Sequence, residues 1–349
     1  MMNNISNPIS LGLINFTNCL PINYTLEKWA LEDIVLSWGH PVLINQLMKE
    51  GQVHVAPISA FEYIQNENDY VLIKEACITS DAECGSVILF SNHKLEDLAG
   101  KKIGIPHDSA TSINMLKIIL NEKGILTPTP YPLPQGRGKQ VGAGAKPPHL
   151  DTPKEIQFIK HKYEKALSEA LGCEFDAVLY IGDNALVSRY KYNETVILGD
   201  LDKTEERENL FNYDEQIDPH VTASPSLRMT IQCKEPALQQ FYQYDLGKVW
   251  KKMTGLPPVF GLWVARADWA VNHKDDFDRV KFLISKAVEA GLGMYFNEVI
   301  QKAASELDLA DYFIKDYLTA KIKYNLTTEH KKSLDLFKKL YQQILTSDF

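Results

Sequence analysis

Lys102-Ile103-Gly104-Ile105-Pro106-His107-Asp108-Ser109-Ala110-Thr111-Ser112-Ile113-Asn114-Met115-Leu116-Lys117-Ile118-Ile119-Leu120 is the run that decides the fold. Its first five residues read as a short strand. Apolar residues then recur at Ile113, Leu116, Ile119 and Leu120, the spacing of a helix. Asp108, Ser109, Thr111 and Ser112 crowd the helix start, where side-chain oxygens answer the N–H groups of a first turn. The same arrangement can bind an anion, because the amides, the hydroxyls and the helix dipole converge on one spot. A capped helix and a ligand site both fit this stretch taken alone.

Strand-to-helix junctions of this kind recur along the chain. Residues 10–16 read as a first strand ending at Thr17-Asn18-Cys19-Leu20-Pro21, where Asn18 suits either a turn or a ligand contact. Residues 42–50 read as a helix closed by Gly51. Val53–Ile58 is a strand delivering Ser59 to a helix start, with Glu62 completing a capping box. Tyr70–Ile78 and Gly85–Phe90 read as further strands, with Ser86 at the start of the second. Phe175–Ile181 is a buried strand running into Gly182-Asp183-Asn184, where Asp183 is either an N-cap or a ligand contact. Such alternation predicts an α/β protein with largely parallel sheets.

Two stretches break the pattern. Residues 127–153 are dense in Pro and Gly and read as a flexible surface insertion; Gly136-Arg137-Gly138 lacks the strand and helix that a phosphate loop requires. Residues 202–236 are polar and irregular. Residues 275–349 read as amphipathic helices, with Leu334, Leu336, Phe337, Leu340 and Tyr341 on one stripe.

Composition narrows the function. A chain of 349 residues with 45% hydrophobic and 23% charged residues fits a soluble protein of two domains. A net charge of −8 argues against nucleic acid or an anionic membrane as partner. The cysteines are five, an odd number without a C-x-x-C pair, which reads as reduced thiols in a cytoplasmic protein. The first residues carry neither a basic segment nor a long apolar run, so no signal peptide or membrane span is expected. No metal-ligand spacing, nucleophile elbow or Rossmann fingerprint is found, so neither a metal nor another cofactor is expected.

Five segments in order resemble one family. They are Ile14–Pro21, Gly85-Ser86-Val87, Asp108–Ser112, Ile181–Leu186, and Asp245-Leu246-Gly247 with Trp250, Thr254-Gly255-Leu256-Pro257 and Val259–Trp263. Together they are similar to the chorismate dehydratases of the futalosine route to menaquinone; Pro258 stands where the family commonly has Phe. The resemblance implies a type II periplasmic-binding-protein-like fold, with two α/β lobes facing a cleft. Residues 1–92 and 259–349 would form lobe 1, and residues 93–258 lobe 2, with insertions near 127–155 and 202–236. Asn18, Ser59 and Ser86 would lie on lobe 1, and Ser109, Thr111, Ser112, Gly182 and Asp183 on lobe 2.

The activity implied is removal of water from chorismate to give 3-[(1-carboxyvinyl)oxy]benzoate. Asn18 matches the family's active-site asparagine, and the other seven residues would bind substrate. Asn18 is no base at neutral pH, so a carboxylate of the substrate is expected to take the proton. Two alternatives remain: a non-catalytic binding protein for a small carboxylate, and the related 1,4-dihydroxy-6-naphthoate synthase. The sequence sets no oligomeric state.

Overall fold

A computed structural model describes residues 8–107, 109–126, 155–162, 167–192, 197–198 and 241–347. Asp108 and both proposed insertions, apart from the end of the first at residue 155, lie outside the described residues. The molecule is built on two sheets. The first holds β1 (Ile9–Ile14), β2 (Ile34–Gly39), β3 (Val55–Ser59), β4 (Tyr70–Thr79) and β11 (Val259–Arg266), in the order β2-β1-β3-β11-β4. The second holds β5 (Val87–Ser91), β6 (Lys102–Pro106), β7 (Gln157–His161), β8 (Ala177–Ile181), β9 (Ile197–Leu198) and β10 (Tyr242–Asp245), in the order β7-β6-β8-β5-β10-β9.

The sheets are mixed, which corrects the expectation of largely parallel ones. β1 runs parallel to β2 and β3, and β6 runs parallel to β7 and β8. β11 is antiparallel to both β3 and β4, and β5 is antiparallel to both β8 and β10. The antiparallel strands are those that leave one sheet or enter the other. A strand arriving from the opposite sheet has no βαβ crossover to make it parallel.

Because β5 belongs to the second sheet, the chain passes between sheets over residues 80–86, ahead of the expected crossing near residue 92. Ser86 therefore directly precedes a strand of the second sheet. The chain returns to the first sheet over residues 255–258, between the helix Leu246–Thr254 and β11. The error came from reading β5 as continuous with the strands before it, since a buried strand looks alike in either sheet.

Both faces of the central strands are covered. In β5, Val87 and Leu89 join the main core on one face, while Ile88 and Phe90 join a smaller cluster with Val178, Tyr180 and Phe175 on the other. The helix Leu20–Trp29 packs on the helix Lys274–Leu292 at very short range. A Cβ on Gly291 would stand 2.0 Å from the Pro21 carbonyl oxygen, so only glycine fits that crossing. The C-terminal helix Thr328–Ser347 lies against both the helix Ala60–Gln65 and the helix Ala110–Glu122, spanning the two halves.

Candidate functional site

β1 ends at Ile14, and its chain turns through a short 3-10 segment, Thr17–Cys19, into the helix Leu20–Trp29. That segment has no cap from its own flank. Its cap comes from the other sheet: the Thr17 amide donates to Asp183 Oδ1 at 3.0 Å. The Tyr324 hydroxyl donates to the Asn18 carbonyl at 2.9 Å, and Cys19 Sγ donates to Asn18 Oδ1 at 3.3 Å. Burial, helped by the charge of Asp183, pushes the Cys19 thiol up to about 12, so it stays a protonated donor. The Asn18 side chain is thereby held through its oxygen, with its amide group facing the Tyr317 phenol and an N–H to spare as a donor.

Ser59, Ser109, Thr111 and Ser112 arrive on helix starts, and Ser86 just ahead of β5. Ser59 Oγ accepts the Glu62 amide at 3.1 Å, and Ser109 Oγ accepts the Ser112 amide at 3.3 Å, so both are N-caps. The capping box read from the sequence is half made. The Glu62 carboxylate turns away to Asn66, Tyr70 and Lys49. Thr111 Oγ1 accepts the Phe61 amide across the two halves at 3.0 Å. Ser86 Oγ accepts from the Tyr317 hydroxyl at 2.9 Å, and the Ser86 carbonyl accepts the Gly182 amide at 2.8 Å. Each of these serine and threonine oxygens acts as an acceptor inside the protein, which leaves each hydroxyl proton to point elsewhere.

Gly182 opens the helix Gly182–Tyr192 at a φ of +55°, and a Cβ there would come within 3.0 Å of the Phe16 ring. Glycine is required on both counts: the left-handed backbone and the aromatic ring pressed against it.

A cleft of about 700 Å³, open to solvent, lies between the sheets. Asn18, Ser59, Ser86, Ser109, Thr111, Ser112 and Gly182 line it, so seven of the eight candidate residues meet there. Asp183 is not among the lining residues; its carboxylate serves the Thr17 amide instead. Burial raises the Asp183 carboxyl above the usual range, with the Thr17 hydrogen bond opposing that shift. The walls are apolar: Ile14, Phe16, Ile78, Ile181, Phe260 and Ile322 among others. Among the described lining residues, Cys19 carries the only titratable side chain. Hydroxyls, an amide and helix starts thus converge inside an apolar enclosure, an arrangement able to bind an anion because such dipoles act strongly there.

The segment carrying Ser86 is fixed by a carboxylate that spacing did not single out. Asp245 Oδ2 accepts the Gly85 amide at 2.7 Å, Asp245 Oδ1 accepts the Lys248 amide at 3.0 Å, and both oxygens lie 3.2 Å from the Cys84 amide. Asp245 so caps its own helix and pins the first passage between the sheets. Nearby, burial alone would raise the Glu83 carboxyl, but Arg189 and Lys321 hold it below the usual carboxylate range. Among the described residues no group of three or more His, Cys, Asp and Glu side chains could hold a metal ion. No helix among them is long and apolar enough to cross a membrane.

A family model described as menaquinone biosynthesis matches residues 9–147 and 229–343, well over half of the chain. The chain belongs to this family. Asn18, Ser59, Ser86, Ser109, Thr111, Ser112 and Asp245 all fall inside the family match, while Gly182 and Asp183 fall in the unmatched stretch 148–228. The likeness quoted above for Ile181–Leu186 therefore has no counterpart in that match. The match does run through the first proposed insertion as far as residue 147.

One curated relative, the chorismate dehydratase of Thermus thermophilus, is 28% identical over 117 residues, covering 34% of this chain and 41% of the relative. The alignment thus spans about two fifths of that relative's length. Among solved structures, protein AF1704 from Archaeoglobus fulgidus superposes with a TM-score of 0.61 at 13% identity, covering 97% of this chain and 98% of its own. The periplasmic aliphatic sulphonate binding protein SsuA from Escherichia coli superposes with a TM-score of 0.56 at 11% identity, covering 98% and 94%. At such identities the likeness is one of fold: the family member has the two-lobed architecture of periplasmic binding proteins.

Tyr317, Tyr324 and Asp245 were missed as site residues by reading the sequence alone. Tyr317 and Tyr324 lie some three hundred residues from the Asn18 turn along the chain, as the separation of Tyr324 and Asn18 illustrates. No local spacing could have linked them. Asp245 stands in the sequence only as part of the family-like segment Asp245-Leu246-Gly247, with no role attached to it, and its capping bond appears only in the structure.

Proposed function

We propose that this protein dehydrates chorismate to 3-[(1-carboxyvinyl)oxy]benzoate, as a cytoplasmic enzyme of the futalosine route to menaquinone. Membership of the menaquinone-biosynthesis family and the partial likeness to a chorismate dehydratase support that reading. The single observation that carries the chemistry is the make-up of the cleft. It gathers hydroxyl and amide donors in an apolar enclosure, and its one titratable side chain among the described residues is a thiol pushed up to about 12.

Chorismate carries two carboxylates and a ring hydroxyl at C4. Its ring carboxylate ends a conjugated system that acidifies the proton at C3. Loss of that proton, with breakage of the C4–oxygen bond, releases one water and leaves an aromatic ring, so no electrons enter or leave. A thiol that stays protonated at neutral pH makes a poor base. In the proposed mechanism the enolpyruvyl carboxylate of the substrate takes the C3 proton, and Asn18 orients that carboxylate. Ser59, Ser86, Ser109, Thr111 and Ser112 supply donors for the two carboxylates and the departing hydroxyl. Catalysis then rests on positioning, which can contribute on the order of 7–11 kcal/mol.

The test is to incubate the purified protein with chorismate and follow absorbance and mass. Conversion to an aromatic product lighter by one water supports the proposal. Recovery of unchanged chorismate from a tight complex would favour a binding protein for small carboxylates. Turnover of cyclic dehypoxanthine futalosine instead would favour the naphthoate synthase.

A further inference from the structure

The strand-proximal Ser86 hydroxyl faces the cleft on one side and a wholly buried tyrosine on the other. Tyr317 is 2% exposed and Ser86 is 3% exposed. The Tyr317 hydroxyl donates to Ser86 Oγ at 2.9 Å. Tyr317 begins a π-helical turn, Tyr317–Lys321, that follows the helix Asp311–Asp316. Wider turns of this kind interrupt helices at functional sites more often than elsewhere, because they re-aim a side chain at a cost in regularity.

A serine hydroxyl rotates freely unless a partner fixes it. Here one lone pair of Ser86 is occupied by the Tyr317 proton. Ser86's own proton is then the free end of the pair, and Ser86 lines the cleft. We propose that Tyr317 is a positioning residue: it fixes the Ser86 hydroxyl as a donor aimed into the cleft, toward an anionic oxygen of the bound substrate. The inference rests on the cleft being the dehydratase site proposed above.

Two further observations agree with this assignment. The Asn18 side chain is a neighbour of the same phenol, so Tyr317 adjoins two of the polar groups that line the cleft. Burial holds its hydroxyl well above the ordinary phenol range, so it remains a donor at any working pH. A positioning group that never ionises can direct a rotor without exchanging protons with substrate.

The experiment is a double-mutant cycle with Tyr317→Phe, Ser86→Ala and the double variant, measuring kcat and KM for chorismate with melting temperature beside them. Phenylalanine retains the ring that fills the site and deletes only the donor. Ser86→Ala removes the hydroxyl that is said to be directed. Tyr317→Phe is expected to raise KM about tenfold with a smaller change in kcat. The double variant is expected to be no worse than Ser86→Ala alone, because the tyrosine acts only through that serine.

If the two losses instead multiply, or if Tyr317→Phe lowers the melting temperature while KM stays at its wild-type value, the tyrosine is a packing residue and the proposal fails. Wild-type turnover in the same assay separates that failure from failure of the functional reading. A wild-type protein that leaves chorismate unchanged would overturn the functional reading and this inference together.

Discussion

Thr111 shows how one hydroxyl is divided between structure and ligand. Its oxygen accepts the Phe61 amide across the cleft, and it also lines that cleft. Replacing it with valine keeps the volume but strands a peptide N–H beside an apolar side chain. Leaving such a donor unsatisfied costs about 1–3 kcal/mol. Thr111→Val is therefore expected to lower the melting temperature and weaken chorismate binding together, while Thr111→Ser restores both. An unchanged melting temperature in Thr111→Val would show that the Phe61 bond contributes nothing. Asn18 differs: its side chain is held mainly by its neighbour Cys19, and its backbone by Tyr324. Asn18→Ala is expected to cut kcat by about a hundredfold or more, the scale set by deleting a transition-state donor, with the fold retained. Full activity in that variant would remove Asn18 from the mechanism. At this scale much was legible. Asn18 and the Ser/Thr helix starts announce themselves because capping and anion binding use the same residues at the same places. Asp183, which the resemblance puts among the substrate-binding residues, instead caps a turn on the opposite sheet with its carboxylate, a contact no local pattern encodes.

Elements carry the next level. Strand and helix positions could be read where the apolar period was clean, as in β3, β4, β6, β8 and the helix that starts at Ala110. The edge strand β2, Ile34–Gly39, was not anticipated, because half-exposed positions such as Val35 and Trp38 blur its period. Nor could β5 be assigned to the right sheet. The C-terminal helix Thr328–Ser347 has a further job: His330, near its start, reaches back to the first passage between sheets. His330 Nδ1 accepts the Thr327 amide at 3.1 Å, and Nε2 faces the Ser80 carbonyl at 3.3 Å, an arrangement that wants the neutral Nε2–H form. Burial lowers the His330 pKa from its usual 6.5, with Ser80 and Asp81 opposing and Lys251 assisting. Below pH 6.5 the unfolded chain binds this proton while the folded one resists, so stability present at neutral pH is lost as pH falls toward the folded value. His54 adds a loss of the same sign, since burial and then Arg266 lower it and its Nδ1 accepts the Ser10 amide at 3.0 Å. The buried Asp183 and Asp245, both raised, act in the opposite sense at lower pH. Unfolding by denaturant at pH 7 and pH 5.5 should therefore show lower stability at pH 5.5, and His330→Asn should show a smaller difference between the two. Equal differences in both proteins would exclude His330 as a contributor.

For the molecule as a whole, the two halves are joined beside the cleft by contacts that sequence separation hides. Thr17 to Asp183 and Phe61 to Thr111 tie one half to the other on two sides of the donors. The Glu83 carboxylate lies between Arg189 and Lys321, joining the first passage to the second half and to the C-terminal segment. The class of fold was legible because strand-to-helix junctions repeat, and because four of the five family-like segments fall in order inside the family match. How the halves meet was not, since those contacts join residues far apart in the chain. The topology also makes a sharp demand. β11 lies between β3 and β4, pairing with both, so without it β4 is cut off from the β2-β1-β3 remainder and both β3 and β4 present bare edges. A chain truncated after residue 258 is expected to lack a cooperative melting transition and to precipitate, as bare strand edges do. A soluble truncated chain with cooperative melting would show that β3 and β4 find another arrangement.

That bridging strand also fixes a timetable for synthesis. β1 to β4 leave the ribosome early, but their partner follows roughly 190 residues later, a delay on the order of ten to forty seconds at usual elongation rates. Throughout that interval the β3 edge beside Val55, Ala56 and Ile58 and the β4 edge beside Ile73 and Ile78 have no strand to cover them. The second sheet, complete by Asp245, can assemble meanwhile. The half of the molecule that is begun first is therefore finished last, and its nascent form is the kind of surface a chaperone holds.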